Sequence, residues 1–347
     1  MKLGFTPWIR FQLQTPAPVV EADLAGKTVV VLGANTGLGL EAAIHFARMN
    51  AGRLILACRS QSRGEAAIEK VKAATQFGNK LELWIVDLAD FGSVKSFVNK
   101  FEQDGGRLDI LVANAAVSPL SYQPTKDGFE TSLQVADLST PLIVLRFLPI
   151  LDKTARENGT ASRVVVVSSE VHYWASFDKK VWTGSDPIIR TLGGAAYHQE
   201  NGSSAIRARY PITKLLNVFF TRALAARVSP HRVVVNTVTP GMCKTELARD
   251  LPVILRPLVW LMHALLGFTA EQGSRQLIFG AVAEPAHPEK LHGQFIMGSK
   301  PTEPSDFVLS DLGKKSEELL WEEVVEILDK VDPKVKQVAE EYLARKI

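Results

Sequence analysis

Tyr210 and Lys214 stand four residues apart, so on a helix their side chains share one face. An ammonium beside a phenol stabilises the phenolate. The pair is therefore expected to draw the tyrosine pKa down from about 10 toward working pH. Such a tyrosine can protonate a developing alkoxide or take the proton from an alcohol. Ser169, at the end of an apolar run that closes in Ser168-Ser169, would hydrogen-bond the same oxygen. Pro211 suggests that the pair opens its helix, because in the first turn a missing N–H leaves no acceptor unmet. A surface pair on an amphipathic helix has the same spacing, and the chain supplies a control. Tyr122-Gln123-Pro124-Thr125-Lys126 matches too, but it carries Pro124 inside and runs into Asp127-Gly128. That copy is predicted to lie in a loop, where nothing aligns its side chains.

A second group of residues is suited to phosphates. Gly33-Ala34-Asn35-Thr36-Gly37-Leu38-Gly39 follows the apolar run 28–32 and precedes a helical stretch, 38–49. Glycines allow the tight turn and let backbone N–H groups approach a pyrophosphate, and the helix N-terminus adds a positive partial charge. The spacing is G-x-x-x-G-x-G rather than G-x-G-x-x-G, so the flanking strand and helix carry the assignment. A site for NAD places an acid about 20 residues further on. Here Arg59 stands there, with Arg63 one turn later. A guanidinium pairs with a 2′-phosphate that a carboxylate would repel, so the predicted cofactor is NADP(H). Asp87-Leu88 closes the third strand, where Asp87 could accept from an adenine amino group; Asp90 could equally be a helix N-cap.

Strands at 28–32, 53–57, 81–86, 109–113, 163–168 and 232–238 alternate with helical segments, and a short seventh strand is predicted at 293–297. Strands that are apolar throughout, each followed by a helix, argue for an α/β fold with a doubly wound parallel sheet of Rossmann type. Its site should lie at the carboxyl ends of the strands. A single domain is expected over 24–312, with an irregular N-terminal arm over 1–23 that packs through Trp8 and Phe11. Helices over 313–347, broken near Pro333, complete the chain. Between Ser169 and Tyr210 there is no convincing strand, and such long loops are usually functional. The aromatics of that loop, Tyr173, Trp174, Phe177, Trp182 and Tyr197, are read as one wall of a substrate cleft. Segments 170–209 and 246–270 would form the cleft.

The chain has 347 residues, 46% of them apolar, and a net charge of +3. That supports a sizeable core and implies no nucleic-acid-binding stripe. Cys58 and Cys243 suggest no disulfide framework and a reducing, cytoplasmic location. Seven histidines form no metal-binding motif, so no metal is expected. The first 23 residues hold no apolar run of signal-peptide length. The most apolar stretch, 251–268, is broken by Pro252, Arg256, Pro257 and His263. It is too interrupted to span a bilayer, which needs about 20 apolar residues. Helices over the cleft are expected there, with peripheral membrane contact as the alternative. The oligomeric state is left open.

Taken in order, the glycine loop, Ala57-Cys58-Arg59-Ser60, Leu111-Val112-Ala113-Asn114-Ala115, Ser168-Ser169, Tyr210 with Lys214, Pro240-Gly241 and Thr245 resemble a short-chain dehydrogenase/reductase. The chain is most similar to the retinol-dehydrogenase-like branch common among fungal reductases, over about residues 24 to 330. The resemblance implies Ser169, Tyr210 and Lys214 as catalytic residues. It implies Gly33, Asn35, Thr36, Gly37, Leu38, Arg59, Asp87, Leu88, Asn114, Tyr210, Lys214 and Thr245 as cofactor contacts. Three positions depart from the pattern: Leu32 before the first glycine, Ala116 after Asn114-Ala115, and Ala136. Ala136 stands where the family has a fourth catalytic residue, an asparagine, and an asparagine restored there is expected to raise turnover or leave it unchanged. Adjacent Asp137 is not expected to substitute, because neighbouring side chains on a helix point about 100° apart. The expected activity is NADP(H)-dependent reduction of a ketone or aldehyde, or oxidation of a secondary alcohol, on a small apolar substrate, in secondary metabolism. The alternative is a protein that binds NADP(H) with little redox chemistry, or a non-redox isomerase or cyclase.

Overall fold

The computed structural model describes residues 3–175, 181–182, 185–245 and 256–342. Phe177 and the greater part of the expected cleft segment before Arg256 lie outside the described residues.

The first half runs α1 (Phe5–Gln12), β1 (Thr28–Leu32), α2 (Gly37–Arg48), β2 (Arg53–Cys58), α3 (Gln61–Thr75), β3 (Lys80–Ile85), α4 (Phe91–Gln103) and β4 (Ile110–Ala113). Next come α5 (Thr131–Leu133), a π-helical turn (Gln134–Ser139), α6 (Thr140–Asn158), β5 (Ser162–Val167), a 3-10 turn (Glu170–Trp174), α7 (Ile188–Gly193), α8 (Ala195–Ala225) and β6 (Val233–Val238). The chain continues through α9 (Arg256–Leu266), α10 (Ala270–Val282), a 3-10 turn (Pro288–Lys290), β7 (Phe295–Ile296), β8 (Pro301–Thr302), α11 (Asp306–Leu309), α12 (Asp311–Val331) and α13 (Lys334–Tyr342).

The strands form one sheet in the order β3-β2-β1-β4-β5-β6-β7-β8. Every pairing is parallel except β7 with β8. Alternate strand residues feed two cores. Val30, Leu32, Leu111, Val164 and Val166 pack with Phe97, Leu142, Phe147 and Phe219, while Val29, Val31, Val112 and Val165 pack with Ala43, Phe46 and Leu277. Burial on both faces is why these strands read as unbroken β-branched runs. The edge strand β3 departs from that expectation: Lys80 and Ile85 are exposed, because nothing pairs with its outer side. The run Thr131–Asn158 is long and apolar enough to cross a membrane by composition, but 89% of its most apolar window is buried inside this fold. It is a core helix.

Two expectations about helices are corrected. The N-terminal arm is not irregular throughout; it forms α1, with Trp8 buried and Phe11 packed on the core. Pro7 is tolerated in its first turn. Tyr210 does not open its helix. α8 begins at Ala195 and is interrupted at Gly202 (φ 50°, ψ −132°), so Pro211 lies well inside it.

Candidate active site

The β1–α2 turn is built by close approach. Gly33 has φ +74°, and a Cβ there would come within 2.9 Å of the Ala115 backbone. A Cβ on Gly39 would fall 2.3 Å from the Gly33 carbonyl oxygen and 2.6 Å from Asn114 Nδ2. Only glycine fits such contacts. Asn114, at the end of β4, donates its amide to the Leu32 and Gly33 carbonyls at 3.3 and 3.1 Å, which locks the turn against the sheet. Asn35, Thr36, Gly37 and Leu38 complete the turn and start α2. Thr245 stands beside Gly37, with its Cγ2 3.5 Å from where a Cβ would be.

Arg59 is exposed just after β2, before the α3 N-cap Ser60, which accepts from the Arg63 N–H at 3.4 Å. Asp87 follows β3 and is fixed from both sides: its N–H donates to Ser93 Oγ at 2.9 Å, and its Oδ1 accepts from the Ala89 N–H at 2.9 Å. The Leu88 carbonyl accepts from Ser139 Oγ at 2.6 Å. Asp90 is the N-cap of α4, accepting from the Gly92 N–H at 2.8 Å. The glycine turn and Asn114 follow β1 and β4, the two strands between which the strand order reverses, while Arg59 and Asp87 follow β2 and β3 on the same side of the sheet.

Ser169, Tyr210 and Lys214 come together beside this turn. Ser168 Oγ donates to the Lys214 carbonyl at 2.7 Å, and Lys214 Nζ donates to the Val167 carbonyl at 2.8 Å. These two bonds stitch the end of β5 to α8. Lys214 Nζ lies 5.7 Å from the centre of the Tyr210 ring. Ser169 and Tyr210 face a cavity of about 590 Å³. Its walls come from α1 (Phe5, Trp8), the residues after β6 (Pro240, Met242, Cys243), the 3-10 turn (Val171, Trp174) and α9 (Met262, His263). Leu38 and Thr245 reach it from the nucleotide side. Tyr122, the rejected copy, lies in a loop and donates to the Gly193 carbonyl at 3.3 Å.

The aromatic wall is corrected in part. Trp174 lines the cavity, but Tyr173 donates to the Glu303 carbonyl, Trp182 packs on Phe219 and Phe307, and Tyr197 packs on His198. Those three rings serve the core and the neighbouring loops.

The electrostatics also differ from expectation. The Tyr210 hydroxyl is pushed above its ordinary value by burial, with Glu170 and Cys243 adding to the rise. Burial drives Lys214 in the opposite direction, to about 8, with Asp137 opposing the fall. The spacing brings the lysine near, but desolvation sets the direction at the phenol.

Two residues that sequence reasoning passed over, and one that it set aside, take part. Glu170 is buried, lines the cavity, and accepts from Ser169 Oγ at 3.2 Å, from Trp8 Nε1 at 3.3 Å and from Thr239 Oγ1. A charged residue straight after Ser168-Ser169 was its only signal. Asn217 accepts from Lys214 Nζ at 3.3 Å and donates to Asp137 Oδ1 at 3.0 Å and to the Ala136 carbonyl at 3.1 Å. Asp137 is therefore linked to the lysine after all. Ala136 and Asp137 sit in a π turn, so the α-helical angle between neighbours does not apply. Among the described residues no group of histidine, cysteine or acidic side chains could hold a metal ion.

The family model described as short chain dehydrogenase matches residues 27–183. The chain is 34% identical over 327 residues to the short chain dehydrogenase/reductase dmxR8 of Cryptosporiopsis sp., covering 93% of this chain and 97% of that one. It is 37% identical over 271 residues to the short chain dehydrogenase atnD of Emericella nidulans, with 77% and 83% covered. Among solved structures, a 3-oxoacyl (acyl-carrier-protein) reductase of Agrobacterium tumefaciens with NADP bound superposes with a TM-score of 0.58 at 20% identity, over 79% of this chain and 93% of that one. With nearly the full length of a fungal relative covered and the site assembled at the switch point of the sheet, the chain belongs to the short-chain dehydrogenase/reductase family.

Proposed function

We propose that this chain is an NADP(H)-dependent oxidoreductase that interconverts a carbonyl and a secondary alcohol on a small apolar substrate, in fungal secondary metabolism. The observation that carries the reading is the shared cavity: Ser169 and Tyr210 open onto a wall that is otherwise mostly apolar, with Lys214 directly behind. The glycine turn is a cradle that a Cβ would fill, and it opens a helix N-terminus, so these residues fit a dinucleotide. Gly33, Asn35, Thr36, Gly37 and Leu38 would hold its phosphates, Arg59 a 2′-phosphate, Asp87 and Leu88 the adenine, and Asn114 and Thr245 the nicotinamide half. When bound, the nicotinamide dinucleotide supplies or accepts the hydride.

The chain's own part is the proton. Ser169 would turn its one O–H from Glu170 to the substrate oxygen and orient it. Tyr210 Oη gives its proton to the alkoxide in reduction and takes one from the alcohol in oxidation. The protonated hydroxyl is the form that reduction draws on. Lys214 is the adjacent cation and the anchor for the cofactor ribose. The apolar walls exclude water and select the substrate body.

The alternative, a binding protein with little redox chemistry, was motivated by Ala136. The linked side chains of Lys214, Asn217 and Asp137 support the redox reading instead, because they buttress the lysine without an amide at residue 136. Apolar side chains on the two helices that help to line the cavity, Phe5 on α1 and Trp260, Leu261 and Leu265 on α9, are exposed and support peripheral contact with a membrane interface. NADPH consumption with a panel of apolar ketones and aldehydes tests the activity. Turnover that Tyr210→Phe abolishes is the expected result, and NADPH binding with no turnover on any of them favours the alternative.

A further inference from the structure

Lys214 is buried, at 2% exposed, and among the described residues its ammonium donates only to the Val167 carbonyl and Asn217 Oδ1. Neither carries charge. A buried ammonium without an opposite charge tends to lose its proton. The carboxylate of Asp137, 3% exposed, is one hydrogen bond further on.

The backbone explains how it got there. Residues 134–139 form a π turn, and Pro141 follows it. A π turn would direct the residue-141 N–H at the Ala136 carbonyl, but proline has no N–H. That carbonyl instead accepts from Asn217 Nδ2, the same nitrogen that donates to Asp137 Oδ1. With its amide nitrogen committed on that side, Asn217 can only turn its oxygen to the lysine. Asp137 Oδ2 has no hydrogen-bond partner, so the second oxygen is free of any competing donor among the described residues.

We propose that Asp137, oriented by Asn217, is the counter-charge that keeps Lys214 protonated in this chain. Asp137 is a positioning residue: it acts through the lysine and touches no reacting atom. The opposing drift of the two groups under burial, Lys214 down to about 8 and Asp137 up, agrees with a pair that holds its charges only together. The other ionisable groups acting on Asp137 are Arg209 on α8 and Glu130 ahead of α5. Glu170, in the 3-10 turn packed on the same helix, acts on Tyr210. The α12 acids are engaged elsewhere, Glu317 by Arg222 and Glu323 by the Ile189 and Arg190 N–H groups.

The test uses the full-length chain labelled with 13C at the lysine ε-carbon, the Lys214 resonance being assigned by its loss in Lys214→Met. In Asp137→Asn the titration midpoint of Lys214 is expected to fall by about one pH unit or more, a tenfold loss of proton affinity. The alkaline limb of NADPH-linked turnover should move the same way. Asp137→Glu keeps a carboxylate and should keep most of the midpoint. A merely structural role predicts the reverse order, since asparagine matches aspartate in shape and glutamate does not. An unchanged Lys214 midpoint in Asp137→Asn overturns the proposal, as does a midpoint kept by asparagine and lost by glutamate. Only the kinetic arm rests on the oxidoreductase reading; the resonance needs no substrate, so a failed search for turnover leaves that result standing.

Discussion

The indole N–H of Trp8 donates to Glu170 Oε1 at 3.3 Å, across 162 positions of sequence. Glu170 also holds the hydroxyl of Ser169. The N-terminal helix is thus one hydrogen bond away from the neighbour of the proposed catalytic serine. Trp174 reinforces the contact, with its ring 5.8 Å from that of Trp8 and its N–H donated to the Leu3 carbonyl at 2.7 Å. Trp8→Phe removes the donor and keeps an aromatic ring. It is expected to lower stability by about 1–2 kcal/mol in chemical denaturation. It should also raise KM for an apolar substrate while the NADPH dissociation constant stays the same.

Tyr210→Phe should bind NADPH as the unmodified chain does and lose turnover, because the ring remains and the proton donor goes. Tyr122→Phe should be nearly silent, since Tyr122 is bonded to a backbone carbonyl and packed near the His198 ring, away from the cavity lining. A dead Tyr122→Phe with an active Tyr210→Phe would reverse the assignment.

Cofactor choice turns on Arg59, exposed where β2 ends. Arg59→Asp should weaken NADPH binding and spare NADH, because a carboxylate repels the 2′-phosphate and can accept from a ribose hydroxyl. Fluorescence titration of both cofactors measures this. Equal affinity of the unmodified chain for the two would sink the NADP(H) reading.

His172 makes stability depend on pH. It is fully buried, its Nδ1 lies 2.8 Å from the Ser169 carbonyl, and its Nε2 accepts from the Ser305 N–H at 3.2 Å. The first nitrogen must carry the proton and the second must not, so the ring is neutral. Burial pushes its pKa down to about 4, against about 6.5 in the unfolded chain. Between those values the unfolded chain binds more protons, so stability rises with pH across that window. The contribution is complete above about pH 6.5 and is lost as pH falls toward about 4. Up to about 3 kcal/mol is at stake. Thermal melts between pH 7 and pH 4.5 should show the loss, and His172→Gln should flatten it.

Ala136→Asn was expected from sequence to help turnover or leave it unchanged. The packing favours the second of these outcomes. Ala136 is buried, and its carbonyl already accepts from the Asn217 amide. A larger polar side chain would crowd that contact, so a stability loss of about 1–3 kcal/mol and no gain in turnover are expected. A clear rise in turnover at unchanged stability would show room that the packing does not suggest.

What the sequence made legible was local. Tyr210 with Lys214, the glycine turn and Ser168-Ser169 each occupy a few consecutive residues, and their spacing carries their geometry. The strands were readable because both faces of the sheet are covered. What escaped was long-range or depended on burial. Nothing near Glu170 announces Trp8, and Asn217 was visible on the face of Lys214 without its second partner. The π turn shifted Asp137 into reach, with Pro141 as the only clue. Aromatic content marked residues 173–197 as ordered but could not say which rings would turn inward, and of the described ones Trp174 alone lines the cavity. Spacing likewise could not weigh desolvation against the lysine at Tyr210.

Gln12 clasps the far side of the cavity. It donates to the Met242 and Leu266 carbonyls at 3.1 and 2.9 Å and accepts from the Met242 N–H at 3.2 Å. The sheet and the β1–α2 turn owe nothing to those bonds. The substrate compartment is thus closed by pieces far apart in the polypeptide, the first helix against the residues after β6 and the end of α9, beside a glycine turn locked by Asn114 instead. Such a division of labour makes selectivity separable from chemistry. Exchanging the first helix together with α9 between relatives should retarget the substrate pocket while Thr245 and the glycine turn stay in place. For the same reason, a version trimmed at the amino end could pass every cofactor-binding assay and still be blind to its substrate.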